Sequence, residues 1–307
     1  MIPSLYSPSD VGKLYNPRPE FIHQGTKNRT KTTAYEDKRK VALLTVDGQI
    51  DFVYPDGGLP VPGAIEDIRR LASFIYRNLS EITNNYLSMD DHPPYAIFSP
   101  IWWRDRSGNL PGPFTMITYA DIKSGAWKPI IDPLWSTEYV KKLDTQAKKP
   151  LMIWPFHCLQ GTTGQSLVPA LSEAILYHSA ARGSQPTLIS KGTNPRTEHY
   201  GIFKAEVEDP KDVSTQLNTT ILDAIAKHDL IYVAGEAKSH CVLETMKQLV
   251  SYFGKTQPET IKKIRFLMDC TSSVQNPDVD FEALANTELE KMVQKGVVLV
   301  KSTDPIS

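Results

Sequence analysis

Val41-Ala-Leu-Leu-Thr-Val46-Asp47-Gly-Gln-Ile-Asp51-Phe52 decides the fold. Six residues, apolar but for one threonine, run without alternation, as in a strand covered on both faces. A carboxylate follows at once. Downstream, Ile65, Ile68, Leu71, Ala72, Ile75 and Leu79 fall on one helical stripe. Tyr86 to Met89, Leu151 to Trp154, Thr187 to Ser190, Leu230 to Ala234, Ile264 to Met268 and Val297 to Val300 read as further strands. Helical patterns near 213–228, 240–254 and 280–295 separate the later ones. Strands alternating with helices predict an α/β fold, a mostly parallel, doubly wound sheet in a three-layer α/β/α sandwich.

Ligands of such sheets bind beyond the carboxyl ends of the strands. The polar residues of interest follow the apolar runs. Asp47 follows the first, Asp90 and His92 the second, His157 the third, Lys191 the next, and Cys241 comes shortly after Leu230 to Ala234. Residues 1–40 read as an irregular N-terminal extension lying on the body or on a neighbouring subunit. The main unit spans 41–307, and the Trp-, Pro- and Gly-rich stretch at about 95–148 reads as an insertion.

The chain has 307 residues, 40% hydrophobic and 22% charged, with a formal net charge of -1. That balance supports a sizeable core and gives no electrostatic reason to expect nucleic acid or an anionic membrane as partner. No apolar run approaches the roughly 18 to 20 residues that span a bilayer, and residues 1–40 lack the apolar stretch of a secretory signal. Three cysteines imply no disulfide framework. A cytoplasmic protein is expected.

Cys241 sits in Gly235-Glu-Ala-Lys-Ser-His-Cys241-Val, after a strand and opening a helix. A thiol there feels the positive end of the helix dipole, which favours thiolate, and the free N–H groups of the first turn suit an oxyanion. The alternative is a buried core cysteine. His240 is a sequence neighbour that would not face it on a helix. Asp47 is placed to move a proton, or to cap a loop. Lys191 is a cation for the thiolate, or a solvated lysine. Asp90 and His92, at i and i+2 on an extended segment, point the same way. With His157 they make two histidines and a carboxylate, a set for zinc, iron or manganese, or else hydrogen-bonded loop residues. Cys158 and Cys270 read as packed thiols. There is no Gly-rich dinucleotide fingerprint, phosphate-binding Gly-Lys-Thr/Ser loop or Cys-x-x-Cys pair.

VDGQIDF at 46–52, MDDHP at 89–93, WPFHCLQGTTG at 154–164, SKG at 190–192 and AGEAKSHCV at 234–242 resemble, in order, the motifs of the isochorismatase-like cysteine hydrolases, and among them the nicotinamidases. The similarity runs from about residue 41 to 301. It implies an Asp–Lys–Cys triad on Asp47, Lys191 and Cys241, and a divalent metal, zinc first, on Asp90, His92 and His157. It also implies a cis peptide at Glu236–Ala237, with the backbone N–H groups of Ala237 and Cys241 forming the oxyanion hole. Phe52 and Trp154 fall near the substrate. The implied reaction is hydrolysis of a small carboxamide, nicotinamide to nicotinate and ammonia, through a thioester, with the metal anchoring the substrate. The alternatives are another small amide or carbamoyl substrate, or an inactive binding or scaffold protein. Homo-oligomers are common in the family. This chain departs from the pattern at Ala96, where many nicotinamidases carry a further histidine. The long spacing from His92 to His157, the insertion and the N-terminal extension depart from it too.

Overall fold

The computed structural model describes residues 2–146, 148–277 and 279–307. Six strands form the central sheet: β1 (Val41–Val46), β2 (Asn84–Asp90), β3 (Thr187–Lys191), β4 (Leu230–Gly235), β5 (Ile264–Leu267) and β6 (Val298–Val300). All their pairings are parallel, in the order β6-β5-β4-β1-β2-β3. The central strands β1 and β4 are buried at every residue, which explains their unbroken apolar runs. The helices α1 (Glu20–Lys27), α2 (Ala64–Arg77), α3 (Pro169–Arg182), α4 (Thr219–Ala226), α5 (Leu243–Thr256) and α6 (Phe281–Val293) belong to the layers on its two sides. In α2 the expected stripe faces inward, with Ile68, Leu71, Ala72 and Ile75 fully buried. No helix among the described residues is long and apolar enough to cross a membrane.

The chain builds outward from β1 through β2 to β3, then returns to the other side of β1 with β4 and builds outward again. The order therefore reverses between β1 and β4. That switch point is where the loops after adjacent strands diverge and leave a crevice. Asp47 follows β1 directly, and the turn carrying Cys241 follows β4. Gly235, at φ +114, ends β4 where the two backbones pass closely. A Cβ there would collide with the Val46 carbonyl oxygen, so only glycine lets these strand ends meet.

Several elements differ from the sequence reading. The run Leu151 to Trp154 is not a strand of the main sheet. Only Leu151–Met152 is extended, and it pairs antiparallel with Met116–Ile117. The place beside β2 is taken by β3, so His157 arrives on a loop. That loop is fastened to the end of β2 by the His92 N–H, which donates to the Cys158 carbonyl at 3.0 Å. The stretch at 213–228 holds a short 3₁₀ turn, Val213–Thr215, before α4. Cys241 lies in a wide π turn, Lys238–Val242, that leads into α5. The helix α3 escaped the reading because it is buried around much of its circumference and includes Glu173, His178 and Arg182 among its buried residues. It shows no one-sided stripe.

The N-terminal 40 residues are also more ordered than expected. They contain α1, whose Phe21 is fully buried. Arg18 reaches the buried Glu173 of α3 through Nε at 2.7 Å and Nη2 at 2.9 Å. The 95–148 stretch carries a two-stranded ribbon, Trp103–Asp105 with Trp127–Pro129, and the helices Tyr119–Ser124 and Pro133–Thr145. Trp103 is fully buried and donates from Nε1 to the Ile97 carbonyl at 2.6 Å.

If α1 belongs to the cooperative core, Phe21→Ala lowers unfolding free energy by about 3–5 kcal/mol, the cost of deleting a buried aromatic. Urea denaturation checks this. A loss below about 1 kcal/mol would place α1 outside the cooperative unit.

Candidate active site

Lys191 ends β3 and is buried completely. Its Nζ lies 2.9 Å from Asp47 Oδ2, 2.5 Å from Asp90 Oδ1 and 3.6 Å from Cys241 Sγ, and donates to the His199 carbonyl at 3.1 Å. A buried ammonium is tolerated only with such compensation. Burial works against the Lys191 charge, but Asp47, Asp90 and Cys241 outweigh it and hold the ammonium well above the usual lysine range.

Asp47 adopts φ 43, a conformation that aspartate reaches more readily than most residues. Its N–H donates to the Ser88 carbonyl at 3.2 Å, and its Oδ1 accepts from Ser88 Oγ at 2.6 Å. Burial pushes the Asp47 carboxyl up, beyond what Lys191 pulls down, and Asp90 adds to the rise. Burial also opposes the Asp90 charge, but Lys191 and the imidazoles of His92 and His157 outweigh it and hold that carboxyl well below its usual range. The two acids around one lysine are thus set apart, Asp47 shifted up and Asp90 shifted down.

The Cys241 thiol is pushed well above its ordinary value. Burial is the main cause; Lys191 pulls it down less, and Asp47 and Asp90 push it further up. This corrects the thiolate expected from the helix dipole and the lysine. The resting group is a thiol, and its proton has to be taken during the reaction. The Glu236–Ala237 peptide before the turn is cis.

Asp90, His92 and His157 bring their ligand atoms within 4.8 Å of one another, all buried. His92 Nδ1 lies 3.2 Å from the Gly192 carbonyl and His157 Nδ1 lies 2.8 Å from the Pro155 carbonyl. Nδ1 of each ring thus meets a main-chain carbonyl, the usual outer support of histidine ligands, and leaves Nε2 as the nitrogen a cation would meet. His92 Nε2 is 3.4 Å from Asp90 Oδ2. Burial, with His92 beside it, lowers His157 to about 4, so its imidazole is neutral at pH 7. Phe52 stands edge-on to His157 at 5.4 Å. The donor set suits a divalent cation with open positions. Asp47, Asp90 and Cys241 form a second close trio, but the Lys191 ammonium already touches all three.

The chamber beside Cys241 is lined by Phe52, Asp90, Trp154, His157 and Ala237, all singled out in the sequence, and by Glu198, Tyr200 and His240. Glu198 and Tyr200 were missed. They lie in the loop after Lys191, where no apolar period marks them. Burial raises the Glu198 carboxyl to about 7, with His92 pulling the other way. Tyr200 accepts a hydrogen bond from Trp154 Nε1 at 3.0 Å. Gln49 was missed as well. It clips Asp90 by accepting from its N–H and donating to its carbonyl, both at 2.8 Å. Asp51 fixes the His157 loop by accepting from the Cys158 N–H at 2.6 Å and the Gly58 N–H at 2.9 Å. Cys158 and Cys270 are buried.

No family model matches the chain. Nicotinamidase of Saccharomyces cerevisiae is 22% identical over 237 residues, 73% of this chain and 93% of that protein. The yeast nicotinamidase structure bound to the inhibitor nicotinaldehyde superposes with a TM-score of 0.58 at 18% identity, covering 85% of this chain and 99% of that one. A nicotinamidase/pyrazinamidase structure from Acinetobacter baumanii gives 0.55 at 20% identity, covering 88% and 99%. The chain shares the fold of these nicotinamidases. Each superposition spans nearly the whole length of the neighbour.

Because burial pushes the Cys241 thiol well above its ordinary value, iodoacetamide should label it more slowly at pH 7 than it labels free cysteine. Replacing Lys191 by Met removes the cation 3.6 Å from the sulfur and should slow labelling further. Peptide mass spectrometry reads both. Labelling at the free-cysteine rate would contradict the stated balance of burial and charge.

Proposed function

We propose that this chain is a metal-assisted cysteine amidohydrolase that releases ammonia from a small carboxamide, nicotinamide being the first candidate. The observation that carries the reading is the contact of one buried ammonium with both Asp47 and Cys241, beside a histidine–carboxylate trio. Asp47 takes the thiol proton as the sulfur attacks the carbonyl carbon. Lys191 keeps its charge throughout and offsets the negative charge passing between thiol and carboxylate. The N–H groups of Ala237 and Cys241 receive the oxyanion. Asp47 returns the proton to the departing nitrogen, ammonia leaves, and the acyl group remains on Cys241 as a thioester. Water then attacks the thioester, its proton passing to Asp47, and the product carboxylate is released with the thiol restored.

Asp90, His92 and His157 would hold a divalent cation, with zinc favoured over iron or manganese. When bound, the cation supplies a Lewis acid next to the chamber. Asp90 meanwhile joins the two halves of the site through Lys191. The names of the relatives, nicotinamidase and nicotinamidase/pyrazinamidase, support a nitrogen-heterocyclic carboxamide. Three cysteines, all free, are in keeping with a cytoplasmic setting, and a homo-oligomer is the assembly expected on this reading.

Cys241→Ala should abolish ammonia release from nicotinamide, by at least about 10⁴-fold as for other nucleophile deletions, while circular dichroism stays unchanged. Asp47→Asn should fall nearly as far. Near-normal turnover by Cys241→Ala would end the assignment. Asp47 must be ionised to accept a proton, and its carboxyl is pushed up by burial. Hence kcat/KM should fall as pH drops through a value above the ordinary aspartate value of about 3.9. A profile flat down to that ordinary value would remove Asp47 as the base. His157→Ala should lower the bound metal per chain, measured by elemental analysis; an unchanged metal content would exclude the trio.

A further inference from the structure

The chamber beside Cys241 encloses about 20 Å³, room for roughly one water molecule and not for a ring. A second pocket of about 520 Å³ adjoins it, within the roughly 300–1,000 Å³ usual for small-molecule sites. Tyr200 and His240 line both cavities, so two side chains form the partition between them. The His240 ring stands edge-on to Trp154 at 5.2 Å and to Phe281 at 4.8 Å. Trp154 belongs to the chamber, and Phe281 belongs to the pocket. A single hydrogen bond fixes the imidazole, between Nδ1 and Ser239 Oγ at 2.9 Å. Among the described residues its Nε2 has no hydrogen-bond partner, so turning the ring costs one polar contact.

The pocket beyond is walled by Met116, Met152, Leu243, Phe281 and Leu284, with Lys149 at its inner end. The lysine's charge is already matched. It donates to the Ser239 carbonyl at 2.8 Å, pairs with Glu244 at 3.3 Å and lies 5.4 Å over the Tyr200 ring. The lysines at the rim pair with Glu244 and Glu288. Among the described residues each charge lining the pocket has a partner, so the pocket selects for apolar bulk.

Resting on the amidase reading, we infer that chamber and pocket are one substrate site, joined when His240 and Tyr200 turn aside. The substrate is then a primary carboxamide with an extended apolar body. Its carboxamide lies at Cys241, and its body passes the aromatic partition between the walls of Met116 and Leu284. A single-ring carboxamide fills only the inner end. Met116 comes from the 95–148 stretch, which gives that insertion a part in specificity.

The test is calorimetric binding of two probes, 4-phenylbutanamide and nicotinamide, to the full-length metal-loaded Cys241→Ala protein. The longer amide should bind at least about tenfold more tightly, from the extra apolar surface it buries. Leu284→Trp, added at a half-exposed position, should bring the ratio of the two affinities close to one. Met116→Trp on the opposite wall should do the same, which guards against a folding defect in either variant. Equal binding of the two amides, failure of the longer one to bind, or a ratio untouched by both tryptophans overturns the inference. Turnover plays no part in this measurement. Failure of the protein with Cys241 intact to release ammonia from either amide, with the binding pattern as expected, would sink the amidase reading instead.

Discussion

The site depends on one buried cation. Lys191 sits out of reach of water, and the structure surrounds it with two carboxylates, a thiol and a backbone carbonyl. These partners come from the ends of β1 and β2, the turn after β4 and the loop after β3. An ammonium stripped of water costs several kcal/mol unless such partners converge on it. The same contacts that make Lys191 tolerable therefore hold the strand ends in register with one another. They also make Asp90 and Asp47 unlike. The Asp90 carboxyl is held below its usual range beside the histidines, and the Asp47 carboxyl is pushed above its usual range by burial beside the cysteine. One charge stands between a histidine–carboxylate side and a cysteine–carboxylate side of a single cluster.

The supports around this centre are mostly backbone bonds, made by side chains with no chemistry of their own. Gln49 clamps Asp90 by both edges of its peptide group. Asp51 holds the loop that delivers His157. Ser88 holds Asp47 by its side chain. Positioning of this kind limits the freedom of the reacting groups before substrate arrives, which is where much of the advantage of an enzyme site arises.

Much of this could be read in the chain, and the failures have physical reasons. The strands β1 and β4 were legible because burial on both faces leaves uninterrupted apolar runs. Asp47, Asp90, Lys191 and Cys241 were legible because each stands just past such a run. Leu151 to Trp154 misled because an apolar tetrad looks alike whether it joins the main sheet or a two-stranded ribbon; its partner Met116–Ile117 carries no signal of pairing. The helix α3 was lost because buried polar residues break its periodicity. Glu198 and Tyr200 were lost because a loop has no period to read. The protonation of Cys241 could not be read either. It depends on how completely the sulfur is buried, and only the folded chain reveals that.

Each histidine of the trio is pinned through Nδ1 to a main-chain carbonyl, and the loop carrying His157 is laced to the end of β2 through the His92 N–H. Were these residues to hold a cation as proposed, its surroundings would be shaped by the polypeptide itself. Among divalent ions, intrinsic affinity ranks copper above zinc, nickel, iron and manganese at almost any nitrogen–oxygen site. A stiff cage can work against that ranking, because an ion that prefers a flattened arrangement gains little from donors that cannot splay. On the proposed reading, the choice of metal would be set by main-chain architecture as much as by the identity of three side chains.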